Sequence, residues 1–509
     1  MDNKNISSFT NPKSYWLSST EETNFPPLRE DISVDVAIVG GGMVGITTAF
    51  LLKRGGLKVS VLESDHILQG VTAHTTGKLT SQHGLIYGKI KSQHGTEKAK
   101  QYAEANESAI KFISNIINEK QINCDFSSQS SFVYTQKDKY IGQINKEVEI
   151  ASAMGINASY TETIPLPFSI KGAVEFKNQA QFHPLKYLLS LAEDIHGDGC
   201  NIFEMTPAVD MEKGTITRVI TKNGYKVTAK KIIIASHYPF YDKANLYFSR
   251  IYVHRSYILA AKIKENFPGG MYINAEQPVR SLRSIPTEDG ELIVFAGDHH
   301  KTGQGPNTIN HYQNLEKFGN NIYTIESIPY YWSTQDCMPL DNLPHVGNLS
   351  ENTPNIYIAT GFRKWGMTNS TASAIILKDL IVNGSSPWGD VYNPSRFTPM
   401  ASIKNFIVEN FNVAEQFISG KVSRLPDELD VPVGDGKVLE IKGKRVGVYR
   451  DENNKLYFVD TTCPHLGCEL KWNLAEKSWD CPCHGSRYTY KGEVLEGPTT
   501  KPLKRLYYN

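Results

Sequence analysis

The chain has 509 residues, with 54 Lys+Arg against 53 Asp+Glu, a formal net charge of +1, and 21% charged and 40% hydrophobic residues. This balance excludes a disordered or collagen-like chain and leaves no cationic excess to grip nucleic-acid phosphates. The seven cysteines divide unevenly: Cys124, Cys200 and Cys337 are scattered, whereas Cys463, Cys468, Cys481 and Cys483 crowd together, the mark of a local site and not of a disulfide framework.

The start, Met1-Asp2-Asn3-Lys4-Asn5, is polar and lacks the layout of a secretory leader. The most apolar window, 34–52, is long enough for a membrane span, but Asp35 and Gly40, Gly41, Gly42 and Gly45 interrupt it. It reads as strand, turn and helix. No integral membrane span is expected, and the expected location is cytoplasmic.

In chain order, 34–39 is a β-branched apolar run suited to a buried parallel strand. A helix follows over 43–53, a second strand over 58–62, and a helix over 97–119 with an apolar stripe that includes Ala99, Tyr102, Ile110, Ile113 and Ile117. Strands at 173–176, 231–235, 251–262 and 291–296 interleave with helices at 184–195 and 311–326. A late strand at 356–360 precedes a helix at 368–382, and the Gly/Ser/Pro cluster at 383–390 ends the body. A bracing helix over 399–420 leads to a linker at 422–428, and short strands with Gly/Asp/Asn turns follow from 431. The expected domains are an α/β body over 1–390, a helical brace and linker over 391–428, and a small all-β domain over 429–509.

Gly40-Gly41-Gly42-Met43-Val44-Gly45 satisfies G-x-G-x-x-G after a strand and before a helix, and Glu63 closes the next strand. Gly40, Gly42 and Gly45 allow the tight turn and close backbone approach, the helix N-terminus faces a pyrophosphate, and the carboxylate accepts from a ribose hydroxyl. A Rossmann-like dinucleotide site is expected. Neither Gly303-Gln304-Gly305 nor Gly197-Asp198-Gly199 completes a second fingerprint.

Further segments follow in a telling order: His74-Thr75-Thr76-Gly77-Lys78-Leu79-Thr80, the returning strand through Ala235, Pro339-Leu340-Asp341, and Ala359-Thr360-Gly361-Phe362 with Gly366-Met367-Thr368. With the fingerprint, they resemble the D-amino-acid oxidase/glycine oxidase family of FAD-dependent oxidoreductases over about residues 34–385. The resemblance implies FAD, a mixed-sheet substrate domain interleaved with the Rossmann-like one, and an amine or amino-acid substrate. It places Thr75, Thr76, Lys78 and Leu79 in the flavin-facing loop, Val209 at the adenine, and Gly361, Gly366, Met367 and Thr368 along the isoalloxazine. Lys78 is the candidate flavin-side catalytic residue.

Cys463-Pro464-His465-Leu466-Gly467-Cys468 and Cys481-Pro482-Cys483-His484-Gly485-Ser486 pair two thiols with two imidazoles, a set that can hold zinc or iron. The pairing resembles the Rieske [2Fe-2S] domain. That resemblance implies Cys463 and Cys481 on one iron, His465 and His484 on the other, a bridge between Cys468 and Cys483, and hydroxyls of Ser486 and Tyr488 that raise the potential.

A flavin joined to a Rieske centre implies a relay from substrate through FAD and cluster to an external acceptor. Flow from an external ferredoxin-type donor, or a non-enzymatic redox sensor or carrier, are the alternatives. Arg255, Arg280 and Arg283, and Tyr252, Tyr257, Tyr331 and Trp332 are read first as structural, with pocket roles as the second reading, and Asp298-His299-His300 as a strand end or a flavin-side polar contact ahead of a metal or base pair.

Overall fold

The computed structural model describes residues 9–212, 217–242, 246–305, 307–396, 399–422 and 430–508. Most of the expected linker falls outside these residues.

Strand Ile32–Val39 sits at the centre of a sheet, parallel to Val59–Leu62 on one side and Lys226–Ile234 on the other. Ile356–Thr360 continues the parallel order and His345–Asn348 closes that edge antiparallel. The inner halves of these strands are buried on both faces, which explains their unbroken Val/Ile/Ala runs. Helices Met43–Arg54, Pro184–Ile195 and Gly366–Val382 cover the sheet. Pro184 opens its helix where no backbone donor is needed, and the His183 ring accepts from Lys186 N at 3.3 Å.

A second, mixed sheet of nine strands is built around Ile325–Pro339, Ile251–Ile263, Gly290–Lys301 and Arg280–Thr287. Here the sequence reading needs correction. The helix expected over 311–326 is Ile309–Asn320, and Ile325 begins a 15-residue strand. That strand is held by pairing with Ile251–Ile263, a partner remote in sequence. The body also continues past residue 390: Val391 and Tyr392 are fully buried, and Arg396 pairs with Asp341 at 2.6 Å.

Helix Pro399–Val422 then runs between the body and the C-terminal domain. Glu409 meets Lys301 at 2.6 Å, while Val413 and Phe417 pack into the C-terminal core. That domain holds two four-stranded antiparallel sheets, Gly436–Ile441 with its neighbours and Lys471–Asn473 with its neighbours. Among the described residues no helix is long and apolar enough to cross a membrane.

Candidate functional site

The glycine turn opens into a cavity of about 1000 Å³. A Cβ on Gly40, whose φ is +111°, would lie 2.5 Å from the Ala235 carbonyl oxygen, and one on Gly45 would lie 1.9 Å from the Gly40 oxygen. Helix Met43–Arg54 is capped by Gly42, which has no side chain to satisfy the first amides; Met43 N donates to the Thr72 hydroxyl at 3.2 Å, and the N-terminal end of the helix faces the cavity as an anion site would. Glu63 accepts from Gly41 N at 2.7 Å and from Ser64 at the end of its strand, as a ribose-binding carboxylate would have to be held.

Of the expected cofactor residues, Gly40, Gly42, Glu63, Thr75, Thr76, Lys78, Val209, Ala235, Gly366 and Met367 lie on the cavity wall. Four others stand behind it. Gly45 packs on Gly40, Leu79 is fully buried, Gly361 abuts Pro339, and the Thr368 hydroxyl is spent on the Thr80 carbonyl at 3.1 Å. They shape the wall without facing the space.

Lys78 faces the cavity from strand Lys78–Leu79, bonded to Tyr272 O at 3.3 Å and to the Ser281 hydroxyl. Burial, aided by the nearby Arg283 charge, lowers its ammonium to about 7. The arginines named from sequence are all engaged elsewhere: Arg255 with Glu476, Arg280 with Asp298 at 2.7 Å, and Arg283 with the Gly77 carbonyl at 2.7 Å. Tyr257 and Trp332 are core residues, bonded to His300 and to the His74 carbonyl, and Asp298 is held by Arg280 and His311. His299 alone of its run reaches the cavity.

Sequence reasoning missed Arg363. It lines the cavity, has no carboxylate partner among the described residues, and its Nε is buried without an acceptor. Beside it Lys364 pairs with Asp336 at 2.6 Å and donates to Ser256. Two consecutive cations directly after Gly361-Phe362 were the available signal.

The C-terminal domain also forms part of this cavity: Val494, Glu496, Pro498 and Leu503 stand on its wall. The two Cys/His loops lie alongside. Each is closed by the same kind of turn, Gly467 N to Cys463 O at 2.9 Å and Gly485 N to Cys481 O at 3.0 Å. Cys468 and Cys483 form a disulfide. Cys481 lies near both bridge sulfurs, which as a disulfide offer no thiolate, while Cys463 and Cys481 keep free thiols and, with His465 and His484, are the four side chains expected as ligands.

The four suit a metal cluster. The Cys463 and Cys481 thiols hydrogen-bond each other; this bond, with the Tyr488 and Ser486 hydroxyls, lowers Cys463 to about 6 and raises Cys481. Burial lowers His465, and burial with His465 nearby brings His484 to about 3, both toward the neutral ring that a metal ligand requires. Their centroids are 4.9 Å apart, and His465 Nδ1 is buried with no partner, a lone pair or proton awaiting a ligand. Tyr488 OH lies 3.5 Å from Cys463 Sγ.

Residues 35–380 match the DAO family, FAD dependent oxidoreductase. The chain belongs to that family. Residues 422–507 of this FAD-dependent oxidoreductase match the Rieske [2Fe-2S] domain, so its cofactors are FAD and a [2Fe-2S] cluster. It is 44% identical over 497 residues, 97% of each chain, to the Rieske 2Fe-2S iron-sulfur protein YhfW of Bacillus subtilis (strain 168). Over 239 residues, 45% of this chain and 55% of the other, it is 26% identical to gamma-glutamylputrescine oxidoreductase of Escherichia coli (strain K12). The oxidoreductase body shares its fold with glycine oxidase from Geobacillus kaustophilus (TM-score 0.60, 15% identity, 72% of this chain and 99% of that one). L-proline dehydrogenase from P. horikoshii gives a TM-score of 0.59 at 18% identity, over 73% and 98% of the two chains.

Proposed function

We propose that this oxidoreductase dehydrogenates an amine or amino acid at its C–N bond and passes the electrons through its own Rieske domain to an external one-electron acceptor. FAD takes two electrons as hydride, and a Rieske cluster carries one at a time. The observation that carries the reading is the shared wall: Val494, Glu496 and Leu503 line the same space as Gly40 and Met367. Two redox sites on unrelated stretches of chain would gain nothing from this arrangement unless electrons pass between them.

The residues around the cavity suit an amine. Lys78, lowered to about 7, is largely neutral just above that pH and takes the proton that a substrate ammonium must lose before its nitrogen can support hydride departure. Arg363, without a carboxylate partner, is available to a substrate anion, which favours an amino acid over a simple amine. The product imine leaves to be hydrolysed by water. The similarity to gamma-glutamylputrescine oxidoreductase supports the substrate class.

Anaerobic mixing of the holoenzyme with a panel of amines and amino acids tests this. The expected result is bleaching of the flavin absorbance followed by appearance of the reduced-cluster EPR signal. A flavin that stays oxidised across the panel, while a ferredoxin-type donor reduces it through the cluster, would reverse the direction.

A further inference from the structure

The Cys481–Ser486 loop is not simply near the body; the body grips it. Gly303, with φ +70°, approaches so closely that a Cβ there would lie 2.7 Å from Pro482 N, and one on Gly485 would lie 2.2 Å from Val253 Cγ2. Gln304 Nε2 donates to the Pro482 carbonyl at 3.0 Å. Arg255 and Gln335 are register partners on adjacent strands, and both reach into the C-terminal domain.

Gln335 is the junction. Its side-chain amide donates to the Gly485 carbonyl at 3.0 Å, and its backbone carbonyl accepts from His237 Nε2 at 2.9 Å. His237 and Gln335 both stand on the wall of the flavin cavity, and Gly485 is joined by one peptide bond to His484. The Gln335 side chain and its hydrogen bond to Gly485 thus link the cavity wall to the expected ligand His484, while His237 holds the Gln335 backbone in place. Thr302 fixes the direction of the link: its hydroxyl donates to Gln335 Oε1 at 3.0 Å, which leaves the amide nitrogen facing Gly485. Gln335 and Thr302 are each 1% exposed.

We infer that electrons cross from the flavin cavity to the cluster loop through Gln335 and Gly485, with the Rieske domain held in place and no domain movement. The inference rests on the relay proposed above and names its route. In each crossing the flavin site is oxidised by one electron and the cluster site reduced by one. An amine that loses two electrons and two protons in becoming an imine therefore needs two crossings. The external acceptor empties the cluster between them, and the protons leave to solvent. Hydrogen bonds in the protein interior couple the two sites better than the van der Waals gaps around them, so the path is set by Gln335 and its orientation by Thr302.

The test is flash photoreduction of the anaerobic holoenzyme with 5-deazaflavin and EDTA, following flavin and cluster absorbance separately in the wild type, Gln335→Met and Thr302→Val. Cluster EPR spectra and hydrogen exchange of the 481–486 amides report whether the loop is intact. Slower transfer in both variants than in the wild type, with EPR spectra unchanged, is the expected result. Wild-type transfer with both variants equally fast would overturn the bridge. Absence of any flavin-to-cluster transfer in the wild type would overturn the relay itself, and the bridge with it. Should Gln335→Met fail to fold or alter the EPR spectrum, Thr302→Val decides alone, since it removes only the hydroxyl that orients the amide.

Discussion

Arg255 Nη2 lies 2.7 Å from Glu476 Oε2, joining strand Ile251–Ile263 of the flavin body to the Rieske domain through a pair with almost no exposure. Burial alone would raise the Glu476 carboxyl, but the Arg255 and Arg487 charges overcome it and hold it at about 2. Arg255 is also within reach of Glu496, which Arg487 holds at 3.0 Å. Removing Arg255 leaves Glu476 and Glu496 to share the single Arg487 charge, so Arg255→Met is expected to cost up to about 3 kcal/mol, the lower end for broken buried pairs. Thermal unfolding of the holoenzyme measures this. The depressed carboxyl contributes stability above its unfolded value of about 4.3, and that contribution is lost as pH falls toward 2. Acid unfolding followed by circular dichroism should therefore begin only below about pH 4 in the wild type and at higher pH in the variant.

The proton-accepting role proposed for Lys78 predicts a pH dependence. Above about 7 the neutral amine accepts a proton, and below it the ammonium cannot. Flavin bleaching by a substrate identified in the panel should speed up through pH 7 in the wild type and lose that inflection in Lys78→Met. The same shift has a stability sign. A lysine whose folded value is lowered makes stability rise with pH between the folded and unfolded values and penalises the fold most below about 7. Lys78→Met should therefore melt higher than the wild type at pH 6.

Gly45→Ala places a methyl group against the Gly40 carbonyl oxygen, 1.9 Å away before any movement. The glycine turn must then open, and the protein is expected to purify with little or no FAD by absorbance. Gly142→Ala, on a helix where the added carbon meets nothing within 4 Å, is the matched control and should retain full flavin.

Tyr488→Phe removes the hydroxyl 3.5 Å from Cys463 Sγ. A donor to cluster sulfur stabilises the more negative, reduced state. The midpoint should fall by about 60 mV if the bond is worth a tenfold shift in a one-electron couple. An EPR-monitored redox titration with no change in midpoint would remove Tyr488 from the cluster's electronics.

How much of this was readable in the sequence follows from how local each constraint is. Cys463, His465, Cys481 and His484 lie in two short loops where the chemistry dictates residue type and spacing, so they stand out without any fold. Gly40 and Gly45 are fixed by backbone clashes within one turn and its flanking strand, and are equally legible. Strand Ile325–Pro339 was hidden because its alternation is broken at Pro329 and its partner lies some seventy residues earlier. Gln335, Thr302 and His237 carry no local signature at all. Their roles arise where two domains meet, from contacts between positions separated by up to 150 residues. Arg363 was visible as a cation in a flavin-facing segment, but only the packing shows that no carboxylate among the described residues pairs with it.

The wall formed by Val494, Glu496, Pro498 and Leu503 makes the Rieske domain something other than a detachable accessory. Cutting the chain after helix Pro399–Val422 would not release a free-standing amine oxidase. It would leave a flavin body with one side of its cofactor chamber missing and Arg255 unpaired at the breach, open there to bulk water and dissolved oxygen.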